Sequence, residues 1–263
     1  MKKKLILSLV VVVAIIGLAG CGVQVNPENA LTPEVASGFW QTFMILPLIW
    51  LITWFYNVIG SLGVAIIIVT ILTKLVVMPL MLKSMNSSAK MQTIQPEIQK
   101  IQKKYAGKSD RESQMKMNAE VQRMYKESGV NPLAGCLPIL IQTPLMFAFF
   151  QAFLRHPLIA STEVRYFLGM NLSAVQEIPN IVFAVLVAGL MYFSQVMMQK
   201  RTQNNHANNQ SPVNPQMMNL IFLPVMGLTV YGSPLAMGLY FLVGQIMAVI
   251  QSFIIKKPGV TPF

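Results

Sequence analysis

The stretch GSLGVAIIIVTILTKLVVMPLML, from Gly60 to Leu82, decides the fold. About 20 apolar residues at ~1.5 Å each cross the ~30 Å hydrocarbon core of a bilayer, so the stretch predicts a membrane-spanning helix. Lys74 lies inside it, with apolar turns on both sides. A charge at such a depth costs about 2.5–3.5 kcal/mol on insertion scales and usually faces a protein interior or a wet cavity. Lys74 is therefore the first candidate functional residue.

Two interpretations of Lys74 stay open at this point. The lysine could snorkel along its own stem to the membrane surface, although eight residues separate it from the charged Lys83. Alternatively, it lines a polar site, and Thr70, four residues earlier, shares its helix face. The apolar segments contain no Asp or Glu. Water, hydroxyl groups or a passing polypeptide must then solvate the charge.

Composition places the chain among polytopic membrane proteins, because its 263 residues are 54% hydrophobic and 11% charged. The net charge of +11 is not a nucleic-acid signal, since ten of the twenty Lys and Arg lie between Lys83 and Lys126. The two cysteines and two histidines form no metal-ligand or disulfide pattern. No nucleotide-binding or catalytic motif is visible either. We expect a protein that is not an enzyme and has no cofactor, metal or catalytic residue.

Residues 1–20 are typical of a secretory signal, with three lysines followed by a short apolar run. They end in Leu18-Ala19-Gly20-Cys21, which resembles the bacterial lipobox. The motif predicts that the signal is removed, that Cys21 carries the lipid (palmitate being one of its acyl chains), and that the mature N-terminus lies outside the cytoplasm.

Residues 39–56 are apolar and hold all three tryptophans of the chain, which are Trp40, Trp50 and Trp54. Tryptophan prefers the headgroup region, so we expect an amphipathic helix in the outer interface. A complete span is the alternative, and periodicity alone does not exclude it.

Residues 83–130 predict a helical hairpin. Its first apolar stripe runs from Met91 to Tyr105 and stops at Gly107, and Ser109 to Glu112 match a capping box that starts a second helix. Ten basic residues place this hairpin in the cytoplasm by the positive-inside rule. Their role is topology and solubility, or binding of anionic lipid headgroups or ribosomal RNA.

Four more apolar segments follow and complete a prediction of five spans, with the C-terminus inside. Gln142, Gln195 and Gln245 are the amides within them that join Lys74 and Thr70 as candidate site residues, each with interhelical bonding as its alternative role. The segment from Gln216 to Tyr231 is short and could instead be a re-entrant loop. The predicted spans are 133–154, 178–199, 216–231 and 235–255.

The predicted fold is thus an all-α polytopic membrane protein with five transmembrane helices, a cytoplasmic helical hairpin and an N-terminal interfacial helix. Its predicted segments are the signal (1–20), the tether with the interfacial helix (21–57), the first span (58–83), the hairpin (84–130), the four-span remainder (131–257) and a short tail (258–263).

This order of segments resembles the YidC membrane protein insertases, relatives of the mitochondrial Oxa and chloroplast Alb proteins, over nearly all of 38–257. The stretches that carry the resemblance are SMNSSAKMQTIQPEI from Ser84, GVNPLAGCLP from Gly129 with Gln142 and Pro144, and LAMGLY from Leu235 with Gly244. The lipobox is similar to that of the Gram-positive branch of the family.

The resemblance implies a chaperone-like insertase for protein transport, which receives nascent membrane proteins in a hydrophilic, positively charged groove and releases them sideways into the lipid bilayer of the cell membrane. It implies the ribosome and the Sec translocon as partners, and no specific nucleic-acid sequence. Lys74 matches the position where the family usually has Arg, so the charge is kept but the planar fork is lost. A secondary transporter or channel that uses Lys74 as its intramembrane cation remains the alternative.

Overall fold

The computed structural model describes residues 30–108, 110–129, 137–161, 166–202 and 215–254. Helices account for most of these residues, with one two-stranded hairpin as the exception to the all-α prediction. The elements are α1 (Gly38–Trp40), a π-helical turn (Gln41–Ile45), α2 (Leu46–Ile59), α3 (Leu62–Lys104), α4 (Arg111–Glu127), α5 (Leu137–Arg155), α6 (Pro157–Ala160), β1 (Tyr166–Phe167), β2 (Met170–Asn171), α7 (Ile178–Thr202), α8 (Pro215–Tyr231) and α9 (Leu235–Ile254).

Helix α3 runs without interruption through the predicted end of the first span at residue 83. Its 43 residues join the apolar stretch around Lys74 to the first half of the predicted hairpin. No glycine occurs between residues 64 and 104, and the two prolines, Pro79 and Pro96, are accommodated inside the helix. The change from apolar to charged side chains near residue 83 does not interrupt the backbone hydrogen bonds of the helix. The boundary predicted from composition is therefore not a helix end.

The segment after α3 folds back along its end. Asp110 caps α4, because its Oδ2 accepts a 2.8 Å hydrogen bond from the backbone N–H of Ser113. The predicted capping box placed the cap at Ser109, which lies outside the described residues. Lys104 pairs with Glu120 at 2.7 Å, and this hydrogen bond is the main reason that the pKa of Glu120 lies below its usual range. The predicted pair between Glu112 and Lys116 is present at 2.7 Å.

The helical segment from Gly38 to Ile59 packs against α3 and α5. Its inner face buries Ile45, Leu48, Ile49 and Ile52. Gly60, at a φ of 75°, then reverses the chain, a conformation that glycine adopts without strain. The opposite face exposes an apolar and aromatic set, which consists of Phe39, Phe43, Trp50, Trp54 and Val58.

The loop between β2 and α7 is fastened to the turn between α8 and α9. Leu235 and Ala236 donate backbone hydrogen bonds to Ala174 and Leu172, at 3.0 Å and 2.9 Å. The buried Asn180 amide adds bonds to the carbonyls of Ala174 and Ser233. The beginnings of α7 and α9 therefore lie at the same end of the bundle.

Four helical segments are long and apolar enough to cross a membrane, namely Gly38–Ile59, Leu62–Ser84, Ile178–Met197 and Leu235–Phe253. Two of the predicted spans are not among them. The first part of the span predicted at 133–154 lies outside the described residues, and its helix begins at Leu137. Helix α8 has 17 residues and is as short as the sequence indicated. Cys21 and Cys136, together with the predicted signal and tail, also lie outside the described residues.

Candidate functional site

The partly buried ammonium of Lys74 is held by neutral groups. Its Nζ donates a 2.8 Å hydrogen bond to Oε1 of Gln142 on α5. It also lies 5.5 Å from the centre of the Tyr240 ring on α9, within cation–π range. Within the described part of the chain, no carboxylate lies at ion-pair distance from it. The positive charge is therefore positioned by its neighbours but not neutralised by them.

Tyr240 determines the orientation of the Gln142 amide. Its hydroxyl oxygen accepts a 2.6 Å hydrogen bond from Nε2 of Gln142. With the amide nitrogen engaged there, the carbonyl oxygen of Gln142 must face Lys74. Tyr240 itself is 1% exposed and stacks on Phe149, with ring centres 4.5 Å apart. Three helices thus meet in one hydrogen-bonded chain from Lys74 through Gln142 to Tyr240, which we call the lysine triad.

Gly244 lies next to the lysine side chain. A Cβ at this position would lie 3.4 Å from Cε and 3.5 Å from Nζ of Lys74. Tyr240 and Gly244 are four residues apart, so they share one face of α9 and this face is turned to the ammonium.

The other predicted site residues fall outside this chain of hydrogen bonds. Thr70 is fully buried, and its hydroxyl donates to the Ile66 carbonyl of its own helix at 2.7 Å. Gln195 and Gln245 are half-buried, and among the described residues neither is hydrogen-bonded to Lys74. Helix geometry explains Gln245, because it is displaced by about 100° from Gly244, the residue that faces the lysine. Of the five predicted site residues, Lys74 and Gln142 are hydrogen-bonded to each other.

Sequence reasoning missed Tyr240 as a member of the site. The available signal was a tyrosine in an apolar helix with glycine four residues later, in the stretch LYFLVG. A buried phenol usually finds a hydrogen-bond partner, but the sequence does not reveal which one.

The chemistry open to the lysine triad is electrostatic and hydrogen-bonding. An ammonium with neutral partners attracts a carboxylate and can donate to carbonyl oxygens. Among the described residues no group of three or more His, Cys, Asp and Glu is placed to hold a metal ion.

Four helical segments that are long and apolar enough to cross a membrane define the class as a polytopic helical membrane protein. A family model described as "60Kd inner membrane protein" matches residues 54–261. The chain belongs to this family.

Similar proteins cover the whole chain. A relative from Listeria monocytogenes serotype 4b, "Membrane protein insertase YidC 1", is 36% identical over 98% of this chain and 84% of its own length. "Membrane protein insertase YidC" of Oceanobacillus iheyensis is also 36% identical, over 98% of each chain. "Membrane protein insertase MisCA" of Bacillus subtilis is 36% identical over 99% of this chain and 94% of its own. The resemblance to the YidC family is confirmed.

The fold is similar to that of a solved structure described as "Active YidC insertase crystal structure with the first transmembrane domain resolved". The TM-score is 0.60 at 23% identity, and the match covers 81% of this chain. It spans 46% of the solved chain.

Proposed function

We propose that this protein is a membrane protein insertase, in which Lys74 receives the polar part of a nascent segment and the apolar part passes sideways into lipid. The observation that carries the proposal is the uncompensated ammonium between α3, α5 and α9, held by Gln142 and Tyr240. The names of the relatives support the activity. The protein does not act as an enzyme in this proposal, because no bond is made or broken.

The proposed topology has five spans, an N-terminus outside the cytoplasm and a C-terminus inside it. Helices α3, α5, α7, α8 and α9 are the spans, and the segment Gly38–Ile59 lies in the outer interface. The ten basic residues between Lys83 and Lys126 support a cytoplasmic hairpin. In the same proposal, Cys21 carries a lipid and anchors the mature N-terminus to the bacterial plasma membrane.

The proposed mechanism uses a wet groove that contains Lys74 and Gln142, with Thr70, Gln195 and Gln245 on neighbouring faces. A carboxylate about 4 Å from the ammonium gains ~4 kcal/mol at an effective dielectric near 20, before desolvation is subtracted. Each CH₂ of the client that enters lipid returns about 0.8 kcal/mol. A hydrophobic segment therefore supplies its own driving force, and no nucleotide is needed. The clients are nascent membrane proteins, delivered by the ribosome with or without the Sec translocon.

The role of Lys74 is tested by reconstituted insertion of two clients that differ only in acidic residues in their outer segments. Lys74→Ala should impair insertion of the acidic client, and Lys74→Arg should retain it. Lys83→Ala removes one equal charge from an exposed position of the same helix and is the matched control. Equal insertion of the acidic client by Lys74→Ala and the parent protein would refute the role of Lys74.

Solvent access separates the insertase from a transporter or channel. A Lys74→Cys probe in a Cys136→Ala background is treated with a membrane-impermeant thiol reagent on each side in turn. The insertase proposal expects labelling from the cytoplasmic side alone. Labelling from both sides would favour a channel or transporter, and labelling from neither side would mean a dry lysine and would end the groove mechanism.

A further inference from the structure

The tip of the β1–β2 hairpin has an unusual residue for its backbone. The pairing of Phe167 with Met170 leaves a two-residue loop, Leu168-Gly169. Both loop residues have positive φ, 52° and 76°, as a type I′ turn requires. Asn-Gly is the usual sequence of such turns, because a side chain branched beyond Cβ is disfavoured in the left-handed region. Leucine at the first position is therefore a poor choice for the turn itself.

Leu168 is also the most exposed large apolar residue among the described positions, at 80%. At this exposure, its side chain gains little packing from the described residues to offset the strained backbone. The hairpin sequence YFLGMN carries no charge, and Tyr166 beside the tip is 54% exposed. A strained conformation persists when something else stabilises it, and here the side chain points away from the protein.

The position of the hairpin identifies what surrounds the tip. Phe167 of β1 lies directly over Gly63, so close that a Cβ on Gly63 would overlap its ring. Gly63 is in the first turn of α3, where the apolar segment Leu62–Ser84 begins. The hairpin is thus fixed at the level where a membrane-spanning helix starts.

A second span begins at the same end. The loop from Leu172 to Ala174, directly after the hairpin, is bonded to the first residues of α9. Ile178, the first residue of the span Ile178–Met197, is 78% exposed. Leu168 and Ile178 are therefore two exposed apolar residues at the end of the bundle where α3, α7 and α9 begin.

We propose that the β1–β2 hairpin inserts its tip, Leu168 with Tyr166 beside it, into the interfacial region of the bilayer at the end of the bundle where α3 begins. The occupant is the lipid surface, because the exposed tip lies at the end where three helices of membrane-spanning length begin, is uncharged, and is flanked by a tyrosine, which favours the headgroup level. The topology proposed above makes this the outer leaflet. The inference depends on the spans and is independent of the insertase activity.

The test is a depth measurement in proteoliposomes of phosphatidylcholine and phosphatidylglycerol. Leu168→Cys in a Cys136→Ala background carries an environment-sensitive fluorophore, and the same background without the new cysteine is the blank for Cys21. The expected result is blue-shifted emission that is quenched by lipids with a nitroxide near the headgroup, and less by aqueous iodide. Lys108→Cys, in the exposed turn between α3 and α4, provides the aqueous reference.

A second variant separates the side chain from the turn. Leu168→Asn favours the same turn but removes the apolar group, so a Tyr166→Cys probe should shift toward the aqueous spectrum in this variant. An aqueous spectrum at position 168, equal to that of position 108, would overturn the proposal. A blue-shifted probe that lipid nitroxides do not quench would also overturn it, because a protein surface would then cover the tip. None of these outcomes depends on client insertion, so a failure here is distinct from a failure of the proposed function.

Discussion

Lys74 and Gln142, 68 positions apart in the chain, are joined by a 2.8 Å hydrogen bond from the ammonium Nζ to the amide Oε1. This contact gives the lysine an acceptor but no counter-charge. In the proposed function, a client carboxylate replaces the Gln142 oxygen at Lys74, because it adds the attraction between opposite charges to the hydrogen bond.

A carboxylate built into position 142 should occupy the lysine permanently. Gln142→Glu keeps the length of the side chain and pairs with Lys74, so insertion of a client with an acidic outer segment should fall by an order of magnitude or more, in keeping with a site interaction of ~2 kcal/mol. Initial insertion rates into proteoliposomes are the measurement. A client without acidic residues is the control, and its rate should change little. Equal losses for both clients would point to a damaged bundle instead.

Removal of one hydroxyl tests the orientation of Gln142. Tyr240→Phe keeps the ring, its stacking on Phe149 and its position beside Lys74, but leaves Nε2 of Gln142 without its partner. Because Gln142 is only half-buried, the free energy of unfolding in mild detergent should fall by about 0.5–1.5 kcal/mol, the usual net contribution of one hydrogen bond. Preference for acidic clients over neutral ones should fall as well, because the phenol no longer holds the Gln142 amide in place beside the ammonium.

Tyr231→Phe is the matched control, since the Tyr231 hydroxyl is exposed and its bond to the Gln176 carbonyl is long, at 3.5 Å. It should leave both quantities unchanged. If Tyr240→Phe alters stability but not the preference for acidic clients, the phenol has a structural role alone.

Packing at the start of α3 gives a separate prediction. Gly63→Ala places a methyl group inside the Phe167 ring, which must move. Overpacking of this kind typically costs about 1–3 kcal/mol, and thermal unfolding in detergent should show it. Gly189→Ala in α7 meets no atom within 4 Å and should be neutral or slightly stabilising, as alanine is the better helix former. A loss in Gly63→Ala no larger than that in Gly189→Ala would mean that the β1–β2 hairpin is not seated on α3.

The hairpin of α3 and α4 should loosen in acid. The hydrogen bond from Lys104 is the main cause that holds the pKa of Glu120 below its ordinary value, with a smaller contribution from Tyr105. A carboxyl group with a depressed pKa stabilises the fold above its ordinary pKa and loses this contribution as the pH falls through the depressed value. The protection factors of the amides around residues 104 and 120, which allow for the slower intrinsic exchange in acid, should therefore fall below about pH 4.5, the region of the ordinary Glu pKa. Glu120→Gln should remove most of this pH dependence, whereas Glu112→Gln, at the neighbouring i, i+4 pair, should keep it.

Fold class was accessible from the sequence because the bilayer imposes a length and a composition on each span, and the family was accessible because the stretches from Ser84, Gly129 and Leu235 resemble it. The stretch around Lys74 satisfies both requirements on its own. The continuation of α3 past Lys83 was not predicted, because the change from apolar to charged side chains at this point was interpreted as the end of the first span. The β1–β2 hairpin was also missed. Its two-residue strands are too short to show an alternating pattern, and its turn has Leu168 where Asn is usual.

The site was half predictable for a similar reason. A lysine in an apolar span is conspicuous because burying its charge costs free energy. Gln142 was also conspicuous, as an amide between two prolines. Which amide reaches the lysine depends on how each helix is rotated about its axis, and a single sequence does not specify this rotation. Gln142 and Gln245 are both amides in apolar segments, but the rotation of α9 turns Tyr240 and Gly244, and not Gln245, toward the ammonium.

The continuity of α3 has a mechanical consequence. Its 43 residues measure about 64 Å at ~1.5 Å per residue, and Lys74 lies roughly 45 Å from the far end. In the proposed topology, the part of α3 after the membrane stretch is a long arm, and a force applied at its end would reach Lys74 through one continuous helix and no loop. Pro79 and Pro96 each remove one backbone hydrogen bond, so bending compliance is concentrated at these two points. A partner bound to this arm would bend the helix at Pro79, about one and a half turns from Lys74.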